Sequence, residues 1–416
     1  MENVLLVTVD LHEKNTWPPE DIQRELAELT KSSGANVADE IICFRQRPTP
    51  NLLIGSGKAE ELALLCEEKA IDTVIFSTDL SGTQQRNLEE IIKAKTIDRT
   101  QLILDIFARH AKSPEGKMQV ELAQLEYLLP RLTGKGIMLS RLGGGIGTRG
   151  PGEQKLEVDR RVIRKRISKL SQDLLNVSLH RETLRKKRKE LSLPSVAIVG
   201  YTNAGKSTLL NALTHAQQIV RDSLFTTLDP LSRKLSLPNH QTIIISDTVG
   251  FMYKLPHHLI ESFKATLEEV TQADLLLHVL DISQTKNQEL AQAVYEVLKE
   301  LEANHKPIIT VLNKIDKLED RTWLEALKRE FPNAVAISAL NKENLTELLE
   351  KIEEQLSFLV TALDLFIPIN RMDLIDQIYQ EGRVFEINYT SKGVKIKASL
   401  PVSTAKKLAY LKKTLS

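Results

Sequence analysis

The sequence predicts a multidomain α/β protein in which a phosphate-loop domain follows a smaller α/β domain carrying a long helical hairpin, and precedes a small C-terminal α/β module. Three observations point there. Apolar runs break into glycine-bearing loops between residues 193 and 340; a narrow apolar seam recurs at steps of four and three between 118 and 177; and apolar positions alternate around a turn after 380. The predicted division is 1–110, 111–192, 193–358 and 359–416.

The phosphate loop is Gly200-Tyr-Thr-Asn203-Ala204-Gly205-Lys206-Ser207-Thr208, set between the apolar run Val196–Val199 and the helical run Thr208–Leu213. Its glycines let several N–H groups point inward, where the helix N-terminus adds partial positive charge. Lys206 is expected to reach the β- and γ-phosphates, and the Ser207 hydroxyl to ligate Mg²⁺. Asp247 closes the run Thr242–Ser246, where a strand-end carboxylate holds Mg²⁺ directly or through water, and Gly250 brings a backbone N–H to the γ-phosphate. Asn313-Lys314-Ile-Asp316 follows the apolar strand Ile308–Leu312. The Asp316 carboxylate accepts two donors at once, matching N1–H and the 2-amino group of guanine; adenine offers neither. The Lys314 stem is expected to lie along the base, Asn313 to tie this loop to the phosphate loop, and Ser338-Ala339-Leu340 to offer an N–H to guanine O6. Order and spacing of the four elements predict a P-loop GTPase domain that takes GTP, GDP and Mg²⁺.

Switching falls to Phe225-Thr226-Thr227-Leu-Asp-Pro230, with Thr227 favoured over Thr226 as the hydroxyl that reaches Mg²⁺ only when the γ-phosphate is present. Lys206, Thr227 and Gly250 are the expected catalytic groups. Phe251 stands where many GTPases place a water-orienting glutamine, so slow intrinsic hydrolysis is expected. His257 and His258 read as surface histidines at a Pro-preceded helix start rather than as bases.

The 416 residues carry 56 Lys and Arg against 55 Asp and Glu, so charge is nearly balanced overall. No apolar stretch of about eighteen residues occurs, and Met1-Glu-Asn-Val-Leu5 lacks a basic leader, so a cytoplasmic protein with no membrane span is expected. Cys43 and Cys66 lack paired spacing and read as buried thiols. Charge is concentrated locally: Gln154 to Glu190 holds 13 Lys or Arg against 5 Asp or Glu. There Ile163, Ile167, Leu170, Leu174 and Val177 draw one seam along a long helix, and Met118, Leu122, Leu125 and Leu129 draw another upstream. Joined by the glycine-rich Gly143–Glu153 connection, they predict an antiparallel hairpin with a basic face. Arg164-Lys165-Arg166 and Arg185–Lys189 put like charges on adjacent turns, which suits a polyanion such as RNA. Arg141 and Arg149 flank the glycine loop, which is suited to lying along an RNA backbone or packing on the nucleotide domain.

Before residue 110, apolar Val4–Thr8 and Thr73–Phe76 alternate with helical stretches at Asp21–Lys31, Ala59–Lys69 and Gln84–Lys93. Gly55-Ser-Gly-Lys58 lacks the spacing of a phosphate loop and reads as a turn into a helix. After residue 360, Phe366–Ile369, a helix at Asp373–Glu381 and alternating Phe385-Ile387-Tyr389 and Val394-Ile396-Ala398 predict an αβ hairpin module.

Over nearly its full length the chain resembles the HflX family, ribosome-binding members of the Obg-like branch of translation-factor GTPases, and the residues outside the nucleotide domain decide that likeness. The resemblance rests on Leu53–Lys58, Gln84–Glu89, Asp98–Phe107, Gln119–Leu125, Leu128–Leu132, the Gly143–Glu153 loop, Phe225–Pro230 and Asp247–Phe251. Gln154-Lys155 and Thr226 depart from the family's usual residues. The resemblance implies GTP-dependent binding to the large ribosomal subunit and its rRNA through the Gly143–Glu153 loop and the basic hairpin. It also implies hydrolysis stimulated by the ribosome, and separation of stalled or idle ribosomes into subunits under stress. The alternatives are an assembly or RNA-remodelling GTPase that binds rRNA without splitting, and a regulatory scaffold. A free monomer is expected.

Overall fold

The computed structural model describes residues 2–12, 17–132, 151–190, 193–214, 231–239, 241–254, 256, 264–284, 286–331, 333–357, 360–402, 404–406 and 408. They divide into two compact units, Met1–Val177 with Pro256–Ser262, and Ser178–Leu255 with Phe263–Ser416.

The first unit is built on a parallel sheet, β1 (Asn3–Asp10), β2 (Asn36–Phe44), β3 (Thr73–Phe76) and β4 (Lys95–Asp98), in the order β2-β1-β3-β4. The crossovers are α1 (Pro19–Ser32), α2 (Ser56–Glu68) and α3 (Gly82–Ile92). A parallel sheet needs such crossovers, and β1 and β3 accordingly read as continuous apolar runs. Gly55, at φ +85°, turns the chain into α2, as expected for that glycine pair. Ser81 and Gln84 form a reciprocal capping box on α3.

Next come α4 (Arg99–His110), α5 (Pro114–Arg131) and α6 (Pro151–Glu190). α5 is anchored to the sheet. Asp98 accepts from the Leu80 and Gln101 N–H groups at 3.0 and 2.9 Å, from the Tyr127 hydroxyl at 2.8 Å and from Arg131 at 3.0 Å. Burial pushes the Asp98 carboxyl up, and these four donors are what offset that cost. Of the expected seam Met118, Leu122, Leu125 and Leu129, only Leu122 is fully buried; the deepest positions are Gln119, Val120, Ala123 and Tyr127, because this face docks on the α/β layer. On α6 the expected seam is the more buried one: Leu170 is 1% exposed and Ile163, Ile167, Leu174 and Val177 are half-buried. Arg166 donates to both Glu121 oxygens at 2.6 and 2.7 Å, joining α6 to α5. The Gly143–Gly150 stretch, with Arg141 and Arg149, lies outside the described residues.

The second unit holds a six-stranded sheet, ordered β10-β9-β8-β5-β7-β6, of β5 (Ser195–Gly200), β6 (Leu231–Ser236), β7 (Thr242–Asp247), β8 (Leu275–Asp281), β9 (Ile308–Asn313) and β10 (Val335–Ala336). Only β6 is antiparallel, on the edge. The accompanying helices are α7 (Lys206–Thr214), α8 (Lys264–Gln272), α9 (Asn287–Glu300), α10 (Leu324–Glu330) and α11 (Leu345–Gln355). Val196, Ile198, Ile243, Ile245, Leu277, Val279 and Val311 pack with Leu209, Leu210 and Leu348 into one core. The strand C-termini are thereby rigid, and the loops leaving them are where an open parallel sheet binds ligands.

The chain ends in an antiparallel sheet β11-β13-β12, made of β11 (Val360–Pro368), β12 (Arg383–Thr390) and β13 (Gly393–Pro401), with α12 (Asp373–Glu381) packed on it. The expected alternation holds on β13, where Val394, Ile396 and Ala398 are buried. On β12 it does not hold throughout: an irregularity between Val384 and Glu386 takes Phe385 out of phase and leaves it 55% exposed, with Val384 and Ile387 packed on the core, while Tyr389, in phase with Ile387 and paired with Val394, is 69% exposed near the strand end.

Candidate functional site

Four loops leave the C-terminal ends of β5, β7, β9 and β10 and meet through side-chain hydrogen bonds. At the first, Gly200 and Gly205 take φ of +153° and +96°. A side chain on Gly200 would strike the Val279 carbonyl, and one on Gly205 the Asn313 amide, so glycine is required sterically at both. Asn203 is also left-handed, at φ +60°, a conformation asparagine tolerates. The loop delivers Lys206 to the start of α7, 7% exposed, its Nζ donating to the Gly200 and Tyr201 carbonyls at 3.1 and 2.7 Å. Burial lowers its pKa to about 8, the Asp247 carboxylate opposing that shift and the Lys314 charge adding to it.

Ser207 Oγ donates to Asp247 Oδ2 at 2.6 Å, so the helix start and the β7 end share one pair of oxygens. A hydroxyl and a carboxylate this close form a hard-oxygen donor set of the kind Mg²⁺ takes, and the residues present fit that ion. Gly250 follows three residues on. A side chain there would press on the Thr202 methyl at 2.8 Å and stand 3.1 Å from Lys206 Nζ, so the Gly250 backbone lies directly against the phosphate loop. Phe251 is 1% exposed; its N–H donates to Gly200 O at 3.0 Å and its carbonyl accepts from Thr202 N–H at 2.8 Å. With its ring buried, it presents no polar atom to a water.

Asn313 is the hub. Its Nδ2 donates to Ala204 O at 2.9 Å and its Oδ1 accepts from Ala339 N–H at 3.0 Å, joining the first, third and fourth loops. Asp316 Oδ1 accepts from the Ser338 hydroxyl at 2.5 Å. Ser338 and Ala339 are buried, while Leu340 is 72% exposed. Thr208 is half-buried in the first turn of α7. Phe225, Thr226, Thr227, His257 and His258 lie outside the described residues.

Two residues emerge that the motif reading passed over. Tyr201 Oη accepts from Tyr253 N–H at 3.0 Å and its backbone bridges to Phe251, fastening the chain after Gly250 to the phosphate loop. Asp281 pairs with Lys314 at 2.7 Å. The run Leu275–Leu280 ending in a carboxylate repeats the pattern of the run before Asp247, and was the available signal.

Family profiles match the chain along its length: "GTP-binding GTPase N-terminal" at residues 20–108, "GTP-binding GTPase Middle Region" at 110–188, "50S ribosome-binding GTPase" at 195–314 and "HflX C-terminal domain" at 324–411. A protein named GTPase HflX from Caldanaerobacter subterraneus is 47% identical over 392 residues, covering 94% of this chain and 90% of its own. The chain belongs to the HflX GTPase family. The GTPase HflX of Lacrimispora saccharolytica is 45% identical, with 96% and 94% coverage, and that of Escherichia coli is 43% identical, with 87% and 85%. As an HflX-family protein it is a GTP-hydrolysing enzyme with a domain of the ribosome-binding GTPase class. Among the described residues no helix is long and apolar enough to cross a membrane.

Proposed function

We propose that this protein is a nucleotide-switched factor that binds the large ribosomal subunit in its GTP form and separates stalled or idle ribosomes into subunits. The observation that carries the reading is the pairing, in one chain, of a hydrogen-bonded guanine-nucleotide site with a helix whose described Arg161, Arg164, Lys165 and Lys169 are exposed. In this reading Lys206 holds the β- and γ-phosphates, Asn203 to Thr208 cradle them through backbone N–H groups, and Asp316 with Ser338 to Leu340 reads guanine. Ser207 and Asp247 hold Mg²⁺, with Thr227 completing the set. Bound there, Mg²⁺ neutralises charge that develops on the phosphates. GTP in the site brings the Thr227 hydroxyl onto Mg²⁺ and the Gly250 N–H onto the γ-phosphate, and that form binds rRNA through the Gly143–Glu153 loop and the basic hairpin.

Phe251 contributes no water-orienting atom, so the ribosome supplies the rate enhancement and hydrolysis ends the bound state. In this reading residues 193–358 take the nucleotide and residues 111–192 the RNA. The experiment is light scattering of intact ribosomes mixed with the protein. A fall in scattering with a non-hydrolysable GTP analogue, and none with GDP, supports splitting. Tight binding with unchanged scattering moves the assembly or RNA-remodelling role ahead.

A further inference from the structure

We propose that Asp281 is a positioning residue of the guanine-nucleotide site, acting through Lys314. The proposal rests on the reading that the Lys314 stem lies along the base. Asp281 ends β8 opposite Asn313 of β9, and the Ile282 N–H donates to the Asn313 carbonyl at 3.1 Å, so the two strand ends are clamped where the base-reading loop begins. The carboxylate is fixed at one oxygen: Asp281 Oδ1 accepts from the Ser283 N–H at 3.0 Å and the Ser283 hydroxyl at 2.6 Å. Its other oxygen, Oδ2, meets Lys314 Nζ at 2.7 Å, with side chains 7% and 17% exposed.

Lys314 is fixed at its other end as well. Its backbone is left-handed, at φ +70°, a rare conformation for a lysine and one that sets the direction in which the side chain leaves the loop. A four-carbon stem held at both ends becomes a flat apolar plate, preorganised to lie along a purine. Left loose, the same stem would have to be ordered at each binding event.

The test is a double-mutant cycle read by release of a fluorescent GDP, with Asp281→Asn as the isosteric change that keeps an oxygen for Ser283. The expected result is about tenfold faster release, with the hydrolysis rate at saturating GTP unchanged. GDP and inosine diphosphate should weaken by the same factor, since the Asp316 contact to the 2-amino group is untouched. In a Lys314→Met background Asp281→Asn should change release by less than about twofold. A tenfold effect that persists in that background overturns the proposal, and so does an altered ratio of GDP to inosine diphosphate. If Lys314→Met alone leaves release unchanged, the reading of Lys314 falls and the role of Asp281 falls with it. Should Asp281→Asn fail to fold, the paired change Asp281→Leu with Lys314→Met removes both charges together and leaves neither buried alone. It should release GDP no faster than Lys314→Met, and faster release contradicts the proposal.

Discussion

Around the ends of β5, β7 and β9, polar side chains hold one another: Ser207 on Asp247, Asn313 across Ala204 and Ala339, Ser338 on Asp316, Lys314 on Asp281. Along α6 from Arg161 to Lys169 the charges stand in solvent, and Arg166 on Glu121 is the ion pair that side-chain geometry there shows among the described residues. The first arrangement is preorganised and loses little entropy when a small ligand arrives; the second offers charge density without fixed geometry, suited to a polyanion whose counterions are released on binding. The contrast teaches where selectivity resides. In the function proposed above, guanine would be read by geometry, whereas an RNA partner would be held by charge and selected by nucleotide state.

The harshest way to break the contrast is to remove Lys206, the cation buried at the candidate nucleotide site among the described residues. Lys206→Ala is expected to weaken GTP binding or turnover by about 10²- to 10³-fold, measured by fluorescent-nucleotide titration and phosphate release. Near-normal turnover would put the phosphate site elsewhere. Reversing Arg164, Lys165 and Arg166 to Glu should act on the other side only: the logarithmic salt slope of rRNA binding falls by about 3 while GDP affinity stays within about twofold. Because Arg166 also pairs with Glu121, an Arg164→Glu and Lys165→Glu variant separates RNA contact from loss of that pair.

Asn313→Ala should come next in size. It deprives the Ala204 carbonyl and the Ala339 N–H of their partner at once, at about 1–3 kcal/mol for each buried group left unpaired. A lower Tm and roughly tenfold or greater loss of GDP affinity are expected together. Loss of affinity alone would mean that the loops are not held through this side chain.

The smallest effect comes from pH. Burial holds Lys206 at about 8 without nucleotide, and phosphates favour its charged form, so binding takes up a proton above that value. GDP affinity should be flat from pH 6.5 to 7.5 and fall by about tenfold by pH 9, with proton uptake visible as a buffer-dependent heat in calorimetry. His278 moves the other way for stability. Buried beside Lys206, with neither ring nitrogen hydrogen-bonded, it is held near 4, so the unfolded chain binds its proton first as pH falls below about 6.5. Stability should therefore be intact above pH 6.5 and drain away toward pH 4, and His278→Leu should flatten that part of the curve.

The placement of the candidate site was legible because a phosphate loop demands particular residues at particular strand ends: Gly200 and Gly205 stand where a side chain would collide, and Asp247 and Asn313 close β7 and β9. Asp281 escaped for the converse reason. Its role depends on lying across the sheet from Asn313, a relation between strands 32 residues apart that no local spacing encodes. The seam on α6 was readable because 3.6-residue periodicity is local, while the depth of α5 was not, since Asp98, Tyr127 and Arg131 fix it through contacts with β4. The β12 register failed at a bulge that moves Phe385 out of the alternation, an irregularity period-two patterning cannot register.

The most direct test of nucleotide-switched ribosome binding is co-sedimentation of the protein with purified ribosomes, in GDP and in a non-hydrolysable GTP analogue, for the intact protein, Lys206→Ala and the Arg164–Lys165–Arg166 reversal. The account predicts large-subunit binding with the analogue alone, lost in both variants. Binding that is equal in GDP and the analogue, or that survives Lys206→Ala, would contradict it.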